Sequence, residues 1–198
     1  MNGLRNTLAY VFLALGIVVF CLGARELIDS VAGQRTAEAE YKVHVSGYRR
    51  QASVPVREGD IVARLSIPRL GAELFVVEGD GAKDLRQGPG HVTGTAMPGA
   101  TGNCVIAGHR DTHFRVLKDI RDGDDIVLET TAGKFLYRVR KTEVVRPEDN
   151  RAVQDTADAE LNLITCYPFY YVGAAPTRFV VQARLAGAVG SASAQPTL

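Results

Sequence analysis

Asp125-Ile126-Val127-Leu128-Glu129 is followed by Thr130-Thr131-Ala132-Gly133 and then by Phe135-Leu136-Tyr137-Arg138-Val139-Arg140-Lys141-Thr142-Glu143-Val144-Val145. Two runs rich in β-branched and aromatic side chains, which suit a pleated and half-buried surface, flank four turn residues. Gly133 can take the positive φ that a tight hairpin asks for. The stretch predicts two antiparallel strands. Outward from it the pattern recurs in Ile61 to Ile67, Leu74 to Val77, Asn103 to Ala107, Leu161 to Thr165 and Phe179 to Leu185, each a short apolar run between turn residues. Helix is expected only as a turn near Ala82 to Arg86 and a short segment over Phe114 to Ile120, ended at Asp122-Gly123. The interval Asp80 to Gly99 holds five glycines and two prolines, so it is expected to be mostly loop. Seven or eight strands without strict βα alternation predict a mainly β fold, a small closed barrel or sandwich.

The chain has 198 residues, 46% hydrophobic and 23% charged, which excludes extended disorder or a coiled coil for its bulk. Lys and Arg total 23 against 22 Asp and Glu, leaving no cationic excess to make nucleic acid the expected partner. The apolar residues are unevenly placed. Asn6 to Ala24 carries no charge, and at about 1.5 Å per residue this stretch reaches roughly 28 Å as a helix, the thickness of a bilayer core. One N-terminal transmembrane helix within residues 1–24 is therefore expected to anchor the chain, with Cys21 an apolar member of it. A cleaved signal peptide is the competing reading, because Leu22-Gly23-Ala24 ends in small residues; the apolar core of such leaders is usually about 7 to 15 residues, shorter than this one. Residues 25–57 are polar and read as a stalk, with a short helix over Glu26 to Tyr41; residues 58–186 hold the strands; residues 187–198 are rich in Ala, Gly and Ser and are expected to be a disordered tail.

Three side chains sit where strands are expected to meet loops. Cys166 closes Leu163-Ile164-Thr165-Cys166, His109 leaves the strand Val105-Ile106-Ala107-Gly108, and Arg178 opens Phe179-Val180-Val181. Taken singly, each has a plain structural role: a buried thiol, a surface imidazole, a solvated charge. Taken together they supply a nucleophile, an acid/base partner and a permanent cation able to steady a thiolate or an oxyanion.

Ala107-Gly108-His109-Arg110-Asp111-Thr112-His113-Phe114, Leu163-Ile164-Thr165-Cys166 and Ala175-Pro176-Thr177-Arg178-Phe179 resemble the His, TLxTC and Arg motifs of the sortase family, in the same order and spaced 57 and 12 positions apart from His to Cys to Arg. The resemblance covers about residues 58–186 and is greatest to the class D or Gram-negative-type branches. It implies a closed eight-stranded β-barrel with a groove leading to Cys166, with His109 as acid/base and Arg178 as the oxyanion or substrate-carbonyl donor. It further implies a membrane-anchored cysteine transpeptidase on the extracytoplasmic side of the cell membrane. Such an enzyme cleaves a C-terminal sorting signal of secreted proteins through a thioester and passes the protein to an amine acceptor. No cofactor or metal is implied. Asn162 stands where the family motif has Thr, and no role follows for it.

Other candidates are weaker. His109 and His113 have the i, i+4 spacing of a zinc helix, but Arg110 occupies the place where the zinc-protease base would be Glu. Asp122, Asp124 and Asp125 read as a solvated acidic turn rather than a calcium loop. Cys104, five residues before His109, is expected in the core, and His91 is expected to line the groove wall. Asp111 is a candidate partner for His109, and the aromatic group Tyr167, Phe169, Tyr170 and Tyr171 reads as loop packing, with one wall of the acyl-acceptor groove as the alternative. A cysteine hydrolase with the same triad and a non-catalytic anchored β-domain remain alternatives; a peptidoglycan L,D-transpeptidase does not, because its Ser-His-Gly-Cys run is absent.

Overall fold

A computed structural model describes residues 10–25, 28, 32, 34–37 and 56–188 of the chain. Eight strands follow in order: β1 Ile61–Ile67, β2 Ala72–Glu78, β3 Gly90–His91, β4 Gly102–Gly108, β5 Asp125–Glu129, β6 Lys134–Val145, β7 Ala159–Tyr167 and β8 Thr177–Ala188. They close into a barrel in the order β1-β2-β3-β4-β7-β8-β6-β5, with β5 returning to β1. The expected mainly β barrel with short helices is present. The opening hairpin pairs Asp125 with Arg138 through Glu129 with Lys134, and the Thr130 amide donates to the Gly133 carbonyl at 2.8 Å.

Alternation places one side of each strand in the core. Ile126 and Leu128 of β5 are fully buried while their neighbours are half-exposed, as the period of two requires. Leu65, Ile67, Phe114, Tyr137, Leu161 and Leu163 fill the interior with them. Tyr137 keeps its polar end satisfied there, its hydroxyl accepting from the Gly99 amide at 2.7 Å, and burial pushes that phenol up to about 12.

Two pairings are parallel, β2 with β3 and β4 with β7. The second consumes the longest excursion of the chain, since a parallel neighbour needs a crossover, and here the crossover contains β5 and β6. One consequence is decisive for function: β4 and β7 run the same way and end on the same rim.

Strand β3 lies inside the interval expected to be loop. Only two residues long, it is a place of close backbone approach: a Cβ on Gly90 would stand 2.0 Å from the Gly79 carbonyl oxygen. A helical turn, α2, covers Asp84–Gln87, and 3₁₀ segments cover Pro68–Leu70, His113–Asp119 and Arg151–Val153. Strand β8 runs to Ala188, two residues into the stretch that composition assigns to the tail; residues 189–198 lie outside the described residues.

The N-terminal helix, α1, spans residues 10–25 with its apolar side chains exposed, Phe20 at 76%. Among the described residues no helix is long and apolar enough to cross a membrane. Sixteen residues reach about 24 Å, short of a bilayer core of about 30 Å, and residues 1–9 of the expected span lie outside the described residues. Of the stalk helix expected over Glu26 to Tyr41, residues 28, 32 and 34–37 are described as helical. Gln34 meets the barrel: its side-chain amide donates to Gln87 O at 2.7 Å and accepts from the Phe75 amide at 2.8 Å, covering β2 where β3 does not reach.

Candidate active site

The parallel register of β4 and β7 ends with Gly108 beside Thr165. The next residue on each strand is therefore His109 on one and Cys166 on the other. Antiparallel β8 pairs Cys166 directly with Arg178. Neighbouring strands lie about 4.8 Å apart, so residues 57 and 12 positions apart in the chain fall in one row across β4, β7 and β8 at a single rim.

The backbone beneath this row is fixed from both sides. The Thr165 hydroxyl, fully enclosed, donates to Gly108 O at 2.6 Å and ties the two strand ends together one residue before His109 and Cys166. The Phe114 amide donates to His109 O at 2.9 Å, turning the chain into the 3₁₀ segment. Phe114 itself lies so close to β4 that a Cβ on Gly108 would come within 2.6 Å of its ring, which is why glycine precedes the histidine. Sequence reasoning assigned no role to Thr165 or Gly108; their signal was only the small and hydroxyl side chains at two strand ends.

Cys166 is half-buried, His109 exposed and Arg178 half-buried. Among the described residues no side-chain hydrogen bond joins the three to one another. The Arg178 Nη1 donates to Thr177 O at 3.1 Å and Ala175 O at 3.4 Å, so the guanidinium is held by its own strand start while its other donors are left for a ligand. Asp111 is exposed and, among the described residues, makes no hydrogen bond to His109. Catalytic contacts commonly tighten only when substrate is bound.

Cys104, on β4, is fully buried, and burial with the nearby Glu78 charge pushes its thiol up to about 12. It is a core residue, and all three cysteines are free.

The remaining histidines do not join the site. His91, expected on the groove wall, is 2% exposed: its Nδ1 lies 2.7 Å from Glu78 Oε2 and its Nε2 3.1 Å from Ala96 O. Thr93 donates to the other Glu78 oxygen at 2.9 Å, completing a buried network. A charged carboxylate under a barrel strand needs such partners, and the strand that brings them, β3, was not visible in the sequence. His113 is buried at the start of its 3₁₀ segment while His109 faces solvent, so the two do not form one metal-binding face. Among the described residues no three His, Cys, Asp or Glu side chains gather as a metal site.

The acidic turn also differs from its expected solvated state. Asp124 is 7% exposed and bidentate with Arg69, Nη2 to Oδ2 at 2.6 Å, and Asp125 pairs with Arg138 at 2.7 Å. The Arg69 guanidinium, and then the Arg121 amide, hold the Asp124 carboxyl below the usual carboxylate range against the opposing effect of burial. Asn162 is buried and donates to Asn103 Oδ1 at 2.7 Å; Asn103 in turn donates to Ala152 O and Gln154 O, so the departure from the family motif serves a structural amide chain that runs from the middle of β7 to the start of β4.

Of the aromatic group, Tyr167 and Phe169 pack as expected, Phe169 edge-on to Phe179 at 5.3 Å. Tyr170 and Tyr171 do not; they are exposed on the loop between β7 and β8. On the other flank of β8, Val145 of β6 pairs with Arg178, and an open depression of about 670 Å³ lined by Val144, Val145, Glu148 and Arg151 begins there.

The model of the Sortase domain matches residues 65–186, which contain all eight strands but the start of β1 and the end of β8. The chain belongs to the sortase family. It is 33% identical to Sortase D of Bacillus subtilis over 192 residues, covering 90% of this chain and 97% of that protein. A solved structure of the catalytic domain of B. anthracis SrtD superposes with a TM-score of 0.60 at 32% identity, covering 70% of this chain and 95% of the other. A Clostridium perfringens Sortase D5 transpeptidase structure gives 0.65 at 24% identity, covering 80% and 99%, which supports the fold. The class D likeness read from the sequence agrees with these relatives. Sortases are cysteine transpeptidases that act on proteins bearing sorting signals and use amine acceptors.

Proposed function

We propose that Cys166, His109 and Arg178 are the catalytic residues of a membrane-anchored sortase on the extracytoplasmic face of the cell membrane. The observation that carries this is the row at the barrel rim, Cys166 opposite Arg178 and one residue beyond the Gly108 and Thr165 pair. The Cys166 thiolate attacks a backbone carbonyl near the C-terminus of a secreted protein, and a C–S bond forms as the carbonyl π electrons move to oxygen. Arg178 donates to that oxyanion at no protonation cost. As the C–N bond breaks, His109 gives its proton to the leaving amine, and the thioester remains on Cys166. An acceptor amine then attacks the thioester, His109 takes its proton, and the Cys166 sulfur leaves.

Exposed apolar residues along α1 support the anchor, which would confine enzyme and membrane-held substrate to one surface and raise their effective concentration.

Mass spectrometry of the protein incubated with a peptide library, with and without glycinamide, tests the assignment. A thioester on Cys166 resolved by glycinamide is the expected result. Release to water alone, unaffected by the amine, would assign a hydrolase instead, and no adduct on Cys166 would remove the catalytic role.

A further inference from the structure

Arg110, the residue after His109, is half-buried and reaches across to another loop. Its Nη2 donates to two backbone carbonyls of the loop between β7 and β8, Tyr171 O at 2.8 Å and Gly173 O at 3.0 Å. Its Cζ lies 5.7 Å from the centre of the Tyr171 ring, and Arg115 stands over Tyr170 at 5.4 Å. Among the described residues, the two Nη2 contacts are the hydrogen bonds that tie residues 169–174 to another part of the chain. The Nη1 atom is buried without a partner, and a buried donor left unbonded is destabilising. The side chain is thus held for what Nη2 and the ring face accomplish.

We propose that Arg110 is a positioning residue that latches the β7–β8 loop to the strand end carrying His109, and so shapes the side of the site where the acceptor amine approaches. The loop leaves β7 after Cys166 and Tyr167 and returns at Thr177 and Arg178, so both of its ends lie at the row formed by Cys166 and Arg178. The latch starts from the residue that follows His109, the group proposed to exchange protons with amines. The loop presents Tyr170, Tyr171 and Val172, the last 98% exposed, as apolar contacts for an incoming nucleophile. A planar fork can hold two carbonyls at once, which a lysine ammonium does less well. The proposal rests on the acyl-transfer role of Cys166 and His109 given above.

Two measurements on wild type, Arg110→Ala and Arg110→Lys separate this from a general stabilising role. Amide hydrogen exchange of residues 169–175 reads the latch without any chemistry; it is expected to quicken by about tenfold or more in Arg110→Ala, less in Arg110→Lys, with β7 and β8 unchanged. With the pooled peptide library as acyl donor and glycinamide as amine, the KM for glycinamide is expected to rise by about tenfold while single-turnover thioester formation changes by less than about twofold. Unchanged loop exchange in both variants would overturn the latch. Faster exchange with an unchanged KM for glycinamide would overturn its role at the acceptor side. Should wild type itself form no thioester on Cys166, the acyl-transfer role falls and takes the acceptor-side role with it, while the exchange data still decide the latch.

Discussion

Two thiols in one barrel face opposite chemical fates, and the difference is location. Cys104 is enclosed among apolar side chains with its thiol pushed up to about 12, whereas Cys166 stands half-exposed at a strand end opposite a permanent cation. A maleimide probe at neutral pH is therefore expected to label Cys166 and leave Cys104 unmodified in the folded protein; equal labelling of the two would contradict the assignment. Arg178 is tested by turnover. Its replacement by Ala is expected to lower the rate of thioester formation by about 10²-fold, the usual effect of removing an oxyanion donor, and an unchanged rate would reduce it to a strand-start charge. At the acidic turn, Asp124 has its carboxyl held below the ordinary range chiefly by Arg69. A depressed carboxyl contributes stability that is fully present above its unfolded value of about 3.9 and is lost as pH falls through the folded value. Acid unfolding of Asp124→Asn, followed by circular dichroism, is expected to show less loss of stability below pH about 4 than wild type; parallel curves would show that the pair contributes nothing.

At the scale of elements, the strands were legible because most carry the period of two and their own turn residues. β1 and β5 begin and end where the apolar runs do, and the other long strands extend by at most three residues at either end. What escaped was short or dependent on distant partners. Gly90-His91 has no periodicity to show; its pairing with β2 and β4 exists because the backbone comes close there, and His91 is buried by Glu78 thirteen residues earlier. Nothing in the local sequence of Asp122 to Asp125 reveals Arg69, which arrives from the 3₁₀ turn after β1. The candidate site was legible in its residue types and spacing, but its row was not, since only the β4–β7 register brings position 109 to 166. That junction is sensitive to size. Gly108→Ala is expected to force the Phe114 ring to move and to destabilise the barrel by about 1–3 kcal/mol in denaturant melts, with thioester formation impaired in the fraction that folds; wild-type stability would show that Phe114 gives way freely.

For the whole molecule, closure of the sheet does two things at once. It pairs every strand on both sides over at least part of its length, and it turns three distant segments into neighbours at one rim, with β8 between β7 and β6. Gln34 extends this order to the segment before the barrel, where one side-chain amide occupies the part of β2 that β3 leaves open. This rim is proposed to perform acyl transfer from sulfur. Intact-protein mass spectrometry tests it most directly, with the wild-type chain and its Cys166→Ala variant each incubated with the peptide library before and after glycinamide. Wild type is expected to gain a peptide mass on Cys166 that glycinamide removes as an amide product, and the folded variant to gain none; an adduct of the same size on the variant, or none on wild type, would contradict it.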